Sequence, residues 1–152
     1  MPFDIIDKPP GTDGNLPDYD AVCAGFSWQD ARDELGGLPQ GGLNIAWEAL
    51  DRHVAAGRGA AIALRWLGKQ GEVRDYSYAD LAAATSRFAD ALQRLGVGKG
   101  DRVVIYLPMI PEAAIAMLHC ARLGAVHSVA FGGFAPLELA VRLVDVRPKV
   151  VV

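Results

Sequence analysis

Three apolar runs decide the fold: Arg102-Val103-Val104-Ile105-Tyr106-Leu107, Val126-His127-Ser128-Val129-Ala130-Phe131 and Val150-Val151-Val152. Val103 to Tyr106 shows no apolar–polar alternation, the pattern of a strand covered on both faces, as in a parallel sheet. Between the first two runs, Ala114, Met117, Leu118 and Ala121 fall at helical spacing. Pro111 suits the first turn of that helix, where a missing N–H costs nothing, and Glu112 lies near its positive end. Gly124 stops it. A second helix runs from Pro136 through Leu137, Ala140, Val141 and Val144 to Arg147-Pro148. The order strand, helix, strand, helix, strand predicts βαβ crossovers and a three-layer α/β fold with a mostly parallel sheet. Val103–Leu107, Val126–Ala130 and 149–152 are expected as neighbouring or near-neighbouring parallel strands.

Working back from Asp101, Gly98-Lys99-Gly100 is a turn. A helix from Ser77 to about Leu95 carries Leu81, Ala84, Phe88, Leu92 and Leu95 as its apolar stripe. Ser77 and Asp80 form a capping-box pattern at its start, and Gly96 is a C-cap. Ala60–Trp66 and Val73–Tyr76 read as a hairpin around Gly68–Gly71. Asn44–Ala56 reads as a helix with Ala46, Leu50 and Val54 on one face. Ser27 to Leu35 is a short capped helix. Residues 1–25, punctuated by Pro9-Pro10-Gly11, Gly14-Asn15 and Pro17-Asp18, are expected as an extended N-terminal arm. Residues 26–152 then form an incomplete N-terminal α/β subdomain. A buried strand needs neighbours, so the closing Val150-Val151-Val152 makes the sequence read as the front of a larger protein. The surface left uncovered is expected to promote self-association.

The chain has 152 residues, 51% of them apolar, enough for a real core. Its formal charge of -3 builds no basic surface, which argues against nucleic acid as a partner. Cys23 and Cys120 are far apart, so neither a disulfide framework nor a structural zinc site is expected. The N-terminus lacks the basic and apolar regions of a secretion signal, and prolines and glycines interrupt every apolar stretch before it could cross a membrane. A cytoplasmic protein is the expectation.

Ligands of open α/β sheets bind beyond the carboxyl ends of the strands. Pro108-Met109-Ile110-Pro111 and Phe131-Gly132-Gly133-Phe134 both fall there. Paired glycines let backbone approach a ligand, and a following helix N-terminus favours an anion. A plain strand-to-helix turn is the alternative, since the segment has neither GxGxxG nor the Lys and Ser/Thr of a phosphate loop. His53, His119 and His127 have no cysteine or carboxylate at metal-ligand spacing and read as structural. Ser128 lies inside a strand without a nucleophile elbow. Asp80 and Asp101 read as a cap and a turn residue, and Trp28, Trp47 and Trp66 as packing aromatics. No catalytic residue and no metal ligand is assigned.

Several stretches together resemble the acyl-adenylate-forming (AMP-binding) enzymes, and among them the short-chain acyl-CoA synthetases of the acetyl-CoA synthetase kind. They are Leu43 to His53, Tyr76 to Leu81, Arg87-Phe88-Ala89, Leu95 to Val103, Pro108 to Ala114, Ala121 to Ser128 and Phe131 to Phe134. The resemblance implies an acid–CoA ligase that uses MgATP to make an acyl-adenylate, then CoA to make acyl-CoA and AMP. It further implies that Gly133 approaches the nucleotide end of CoA. Ala135 departs from the family, where a serine is common before the proline. The ATP loop, Mg²⁺-linked residues, acid pocket and mobile C-terminal domain of such enzymes come later in their chains. The resemblance therefore implies ATP, Mg²⁺, CoA and a small carboxylic acid for the intact enzyme, with residues 1–152 inactive alone. A non-catalytic α/β fragment, a small-molecule-binding module and an adenylating domain of a peptide-synthesising assembly are the alternatives.

Overall fold

The computed structural model describes residues 18–38 and 40–152. Two compact units divide between Leu35 and Gly36. In the first, α1 (Tyr19–Gly25) starts at Asp18, whose carboxylate accepts from the Ala21 N–H at 2.9 Å. This helix corrects the extended arm expected through residue 25, because an aspartate cap and two alanines outweigh Pro17-Asp18 as a turn signal. Residues 1–17 of that arm lie outside the described residues. Ser27 caps α2 (Trp28–Asp33) by accepting from the Asp30 N–H at 3.0 Å, as its sequence predicts. Neither helix buries a residue. Trp28, expected to pack, is 83% exposed and meets Phe26 edge to face, 5.2 Å between ring centroids.

In the second unit Asn44 begins a helix by accepting from the Ala46 and Trp47 N–H groups. The winding then widens to π-helix over Trp47–Asp51 and again over Val54–Arg58. The wider turn breaks the regular spacing of the stripe. Ala46 and Leu50 are buried, while Val54, expected on the same face, is exposed. β1 (Ile62–Leu67) and β2 (Val73–Ser77) pair antiparallel, with Arg65 and Asp75 clasped by two hydrogen bonds of 2.7 and 2.8 Å. Both halves of the Ser77–Asp80 capping box form at the start of α3 (Tyr78–Arg94). Gly96, at φ +80°, lets the chain fold back so that the Val97 N–H reaches the Leu92 carbonyl at 2.9 Å.

The sheet is parallel, in the order β4 (Val126–Phe131), β3 (Arg102–Leu107), β5 (Val150–Val151). β3 and β4 stay in step from Arg102 opposite Val126 to Leu107 opposite Phe131. Backbone bonds carry the β5 pairing on through Val152, which donates to Val104 and accepts from Tyr106. The expected neighbouring parallel strands and α/β class are thus observed. α4 (Pro111–Leu123) and α5 (Pro136–Val146) make the two crossovers. Val103 and Ile105 face α3 and α4, packing with Leu92, Ala116 and Cys120. Strand alternation sends Val104 and Tyr106 to the other face, where the Tyr106 hydroxyl donates to the Phe134 carbonyl just ahead of α5. Asn44 also donates to the Ala121 carbonyl at 2.9 Å, tying the start of its own helix to the last turn of α4.

Candidate functional site

β3 and β4 run in register, so the segments that follow them emerge side by side. Pro108–Ile110 links β3 to α4, and Gly132–Ala135 links β4 to α5. The two glycines of the second segment have different surroundings. A Cβ at Gly132 would stand 3.1 Å from the Pro108 nitrogen and 3.2 Å from the Leu107 carbonyl carbon and oxygen. These are backbone atoms of the neighbouring strand end, so Gly132 is the point where the two turns touch. The three atoms nearest a Cβ at Gly133 all belong to the Phe131 ring, with Cε1 first at 2.6 Å. Phe131 is 61% exposed and its ring can swing. The φ of Gly133 is not in the left-handed region. The turn therefore does not need glycine there for its dihedral angles, and what glycine provides is bare, exposed backbone.

The turn is closed by a 3.0 Å bond from the Phe134 N–H to the Phe131 carbonyl. Phe131 and Phe134 meet edge to face, 5.8 Å between centroids. On α5, the Arg142 guanidinium lies 4.7 Å over the Phe134 ring. α5 begins at Pro136 with no side-chain cap, as Ala135 foretold, and Glu138 occupies its first turn. Across the other turn, the Trp66 indole N–H donates to the Met109 carbonyl at 2.9 Å, tying the hairpin to the Pro108–Ile110 segment. An apolar cavity of about 220 Å³ lies here, between Leu64 and Trp66 on one side and Leu107, Ile110, Met117 and Val129 on the other. Neither Trp66 nor Arg142 is a site residue in the sequence reading. A lone tryptophan in a strand and an arginine in a helix carry no local pattern, and only tertiary placement brings them to the turns.

His119 is fully buried in α4 and stacked on Phe88 at 4.2 Å, with no hydrogen-bond partner at either ring nitrogen. Burial, and secondarily Arg122, push its imidazole down to about 4. His127 is exposed on β4, and Ser128 stays within the strand. His53 lies against Tyr78, 4.6 Å between ring centroids with the planes tilted by 41°. Asp101 accepts from the Gly98 N–H at 2.8 Å and from Lys149 Nζ at 3.0 Å, which hold its carboxyl below the usual range. Cys120 is buried and its thiol raised by desolvation, whereas Cys23 is exposed. Trp47 and Trp66 are half-buried. Among the described residues no three side chains form a cluster fit to hold a metal ion. No helix there is long and apolar enough to cross a membrane.

Residues 51–152 match the model of a family described as AMP-binding enzyme. The chain belongs to the AMP-binding enzyme family. It is 47% identical over 137 residues to an acetyl-coenzyme A synthetase of Deinococcus radiodurans, covering 90% of this chain and 20% of that protein. It is 54% identical over 112 residues to an acetyl-coenzyme A synthetase of Streptomyces coelicolor, covering 74% of this chain and 17% of that protein. A crystal structure of an acyl-CoA synthetase from Brucella canis superposes with a TM-score of 0.79 at 28% identity, over 88% of this chain and 24% of that one. This AMP-binding family member thus spans about a fifth of the length of the relatives it matches.

Proposed function

We propose that the chain is the N-terminal portion of an AMP-forming acid–CoA ligase acting on acetate or a similarly short acid. In such an enzyme a carboxylate oxygen attacks the α-phosphorus of ATP and pyrophosphate leaves, giving the acyl-adenylate. The CoA thiol then loses its proton and attacks the acyl carbon, and AMP leaves with the bonding pair. The observation that carries the reading is the Phe131–Phe134 turn at the carboxyl edge of the parallel sheet, where Gly133 offers exposed backbone without a side chain. We assign Gly133 to the nucleotide end of CoA. Two relatives named acetyl-coenzyme A synthetase, at 47 and 54% identity, support the short acid. ATP, Mg²⁺ and the acid itself fall to segments outside these 152 residues.

The test uses the full-length enzyme with ATP, CoA and acetate, propionate or butyrate, measuring pyrophosphate and acyl-CoA separately. Acid-dependent pyrophosphate release followed by CoA-dependent acyl-CoA, fastest with acetate or propionate, is expected. Residues 1–152 alone should give neither product. Pyrophosphate release with no transfer to CoA would exclude the ligase and favour an adenylating domain of another kind.

A further inference from the structure

The turn assigned to CoA needs a positive charge, because the nucleotide end of CoA is anionic. The fold does not supply one in the usual way at the start of α5. Pro136 has no N–H, Ala135 adds no capping group, and Glu138 places a carboxylate in the first turn. A bare helix N-terminus is therefore a poor anion site here. Two turns along, Arg142 provides the missing charge. Its guanidinium is held 4.7 Å over the Phe134 ring, the residue next to Gly133. Stacking on a ring fixes the guanidinium plane while leaving the N–H donors at its rim free. Arg142 shows no ion pair with Glu138, one turn before it, or with Asp145, one turn after. Elsewhere Arg52, Arg65, Arg122 and Lys149 are each paired with a carboxylate.

We propose that Arg142 is a CoA-binding residue, held on Phe134 so that its guanidinium donates to a phosphate of the CoA nucleotide while Gly133 gives the backbone clearance beside it. This rests on the functional reading above and adds the charged contact that the Gly133 assignment lacks.

The full-length enzyme carrying Arg142→Gln or Arg142→Lys tests it. Two quantities are read: the KM for CoA and the inhibition constant of 3′,5′-ADP, which carries the nucleotide phosphates without the thiol arm. In Arg142→Gln both should rise about ten-fold, a charge-assisted hydrogen bond's worth, with acid-dependent pyrophosphate release within about two-fold of the parent. Arg142→Lys should recover part of the loss, because it keeps the charge without the planar stack. Raising the salt should weaken CoA binding less in Arg142→Gln than in the parent. An unchanged KM for CoA overturns the proposal. So does a raised KM with an unchanged constant for 3′,5′-ADP, or equal loss in both half-reactions. A parent enzyme that makes no acyl-CoA refutes the functional reading instead. Binding of 3′,5′-ADP to that same protein, followed by calorimetry with and without Arg142, then still decides whether the residue holds a nucleotide phosphate.

Discussion

At the scale of single residues, Gly132 and Gly133 look equivalent in sequence and are not equivalent in space. Gly132 abuts the backbone of the neighbouring strand end, whereas Gly133 abuts the far edge of an exposed side chain, Phe131. Gly132→Ala should therefore cost about 1–3 kcal/mol of stability, the range for overpacking a tight contact, and Gly133→Ala much less. Urea denaturation of both variants checks the order, and equal losses would contradict it. The sequence showed that glycines follow β4. It could not show which one touches Pro108, because that contact comes from the register of β4 against β3. His119 makes a second prediction. Its imidazole takes a proton near 6.5 in the unfolded chain and near 4 in the fold. The unfolded state therefore binds more protons between those values, and stability falls as pH drops from about 6.5 toward 4. Urea midpoints at pH 7 and pH 5 should diverge in the parent and converge in His119→Leu. An identical pH slope in both proteins would remove His119 as the cause. As the pH falls further through the ordinary carboxylate range, Glu48, Asp75, Asp80 and Asp101, whose carboxyls are lowered by their hydrogen bonds, also lose the stability they contribute.

At the scale of elements, local chemistry was the legible part. Ser27 and Ser77 as caps, Gly96 and Gly124 as stops and Pro111 as a helix start all follow from short-range rules, and each is found in place. Two elements escaped. The π-helical turns after Ala46 depend on packing rather than propensity, and a capped helix over Tyr19–Gly25 stood behind proline-rich punctuation. Ser77→Ala should destabilise the second unit by about 1 kcal/mol, because the Ser77 hydroxyl no longer accepts from the Asp80 N–H or donates to its carboxylate; a neutral result would mean that tertiary packing alone sets the start of α3. The hairpin has a more distant effect. Trp66 holds Met109, and the Pro108 nitrogen lies under Gly132. Trp66→Phe keeps a ring but loses the donor, and should speed hydrogen exchange at the Ile110 and Phe134 amides by about five-fold. Exchange unchanged at both amides would show that the two turns are held independently of the hairpin.

At the scale of the whole molecule, the parallel core and the family were legible, while the surroundings of the site were not, since most of its neighbours are distant in sequence. One face of α5 carries Leu137, Val141 and Val144, each more than 60% exposed. Such a stripe belongs against other protein. The 152-residue chain should therefore self-associate, and Val141→Glu should reduce this, as sedimentation across a concentration series will show. A strictly monomeric parent chain would contradict it. The proposed function divides the labour, with this part of the enzyme presenting CoA to an adenylate made elsewhere. Gly133→Val in the full-length enzyme tests it most directly, with pyrophosphate release and acyl-CoA formation measured on the same preparation. Acyl-CoA formation should fall about ten-fold or more while pyrophosphate release stays within about two-fold. Equal loss of both steps in a folded variant would contradict the claim and leave Gly133 as a turn residue alone.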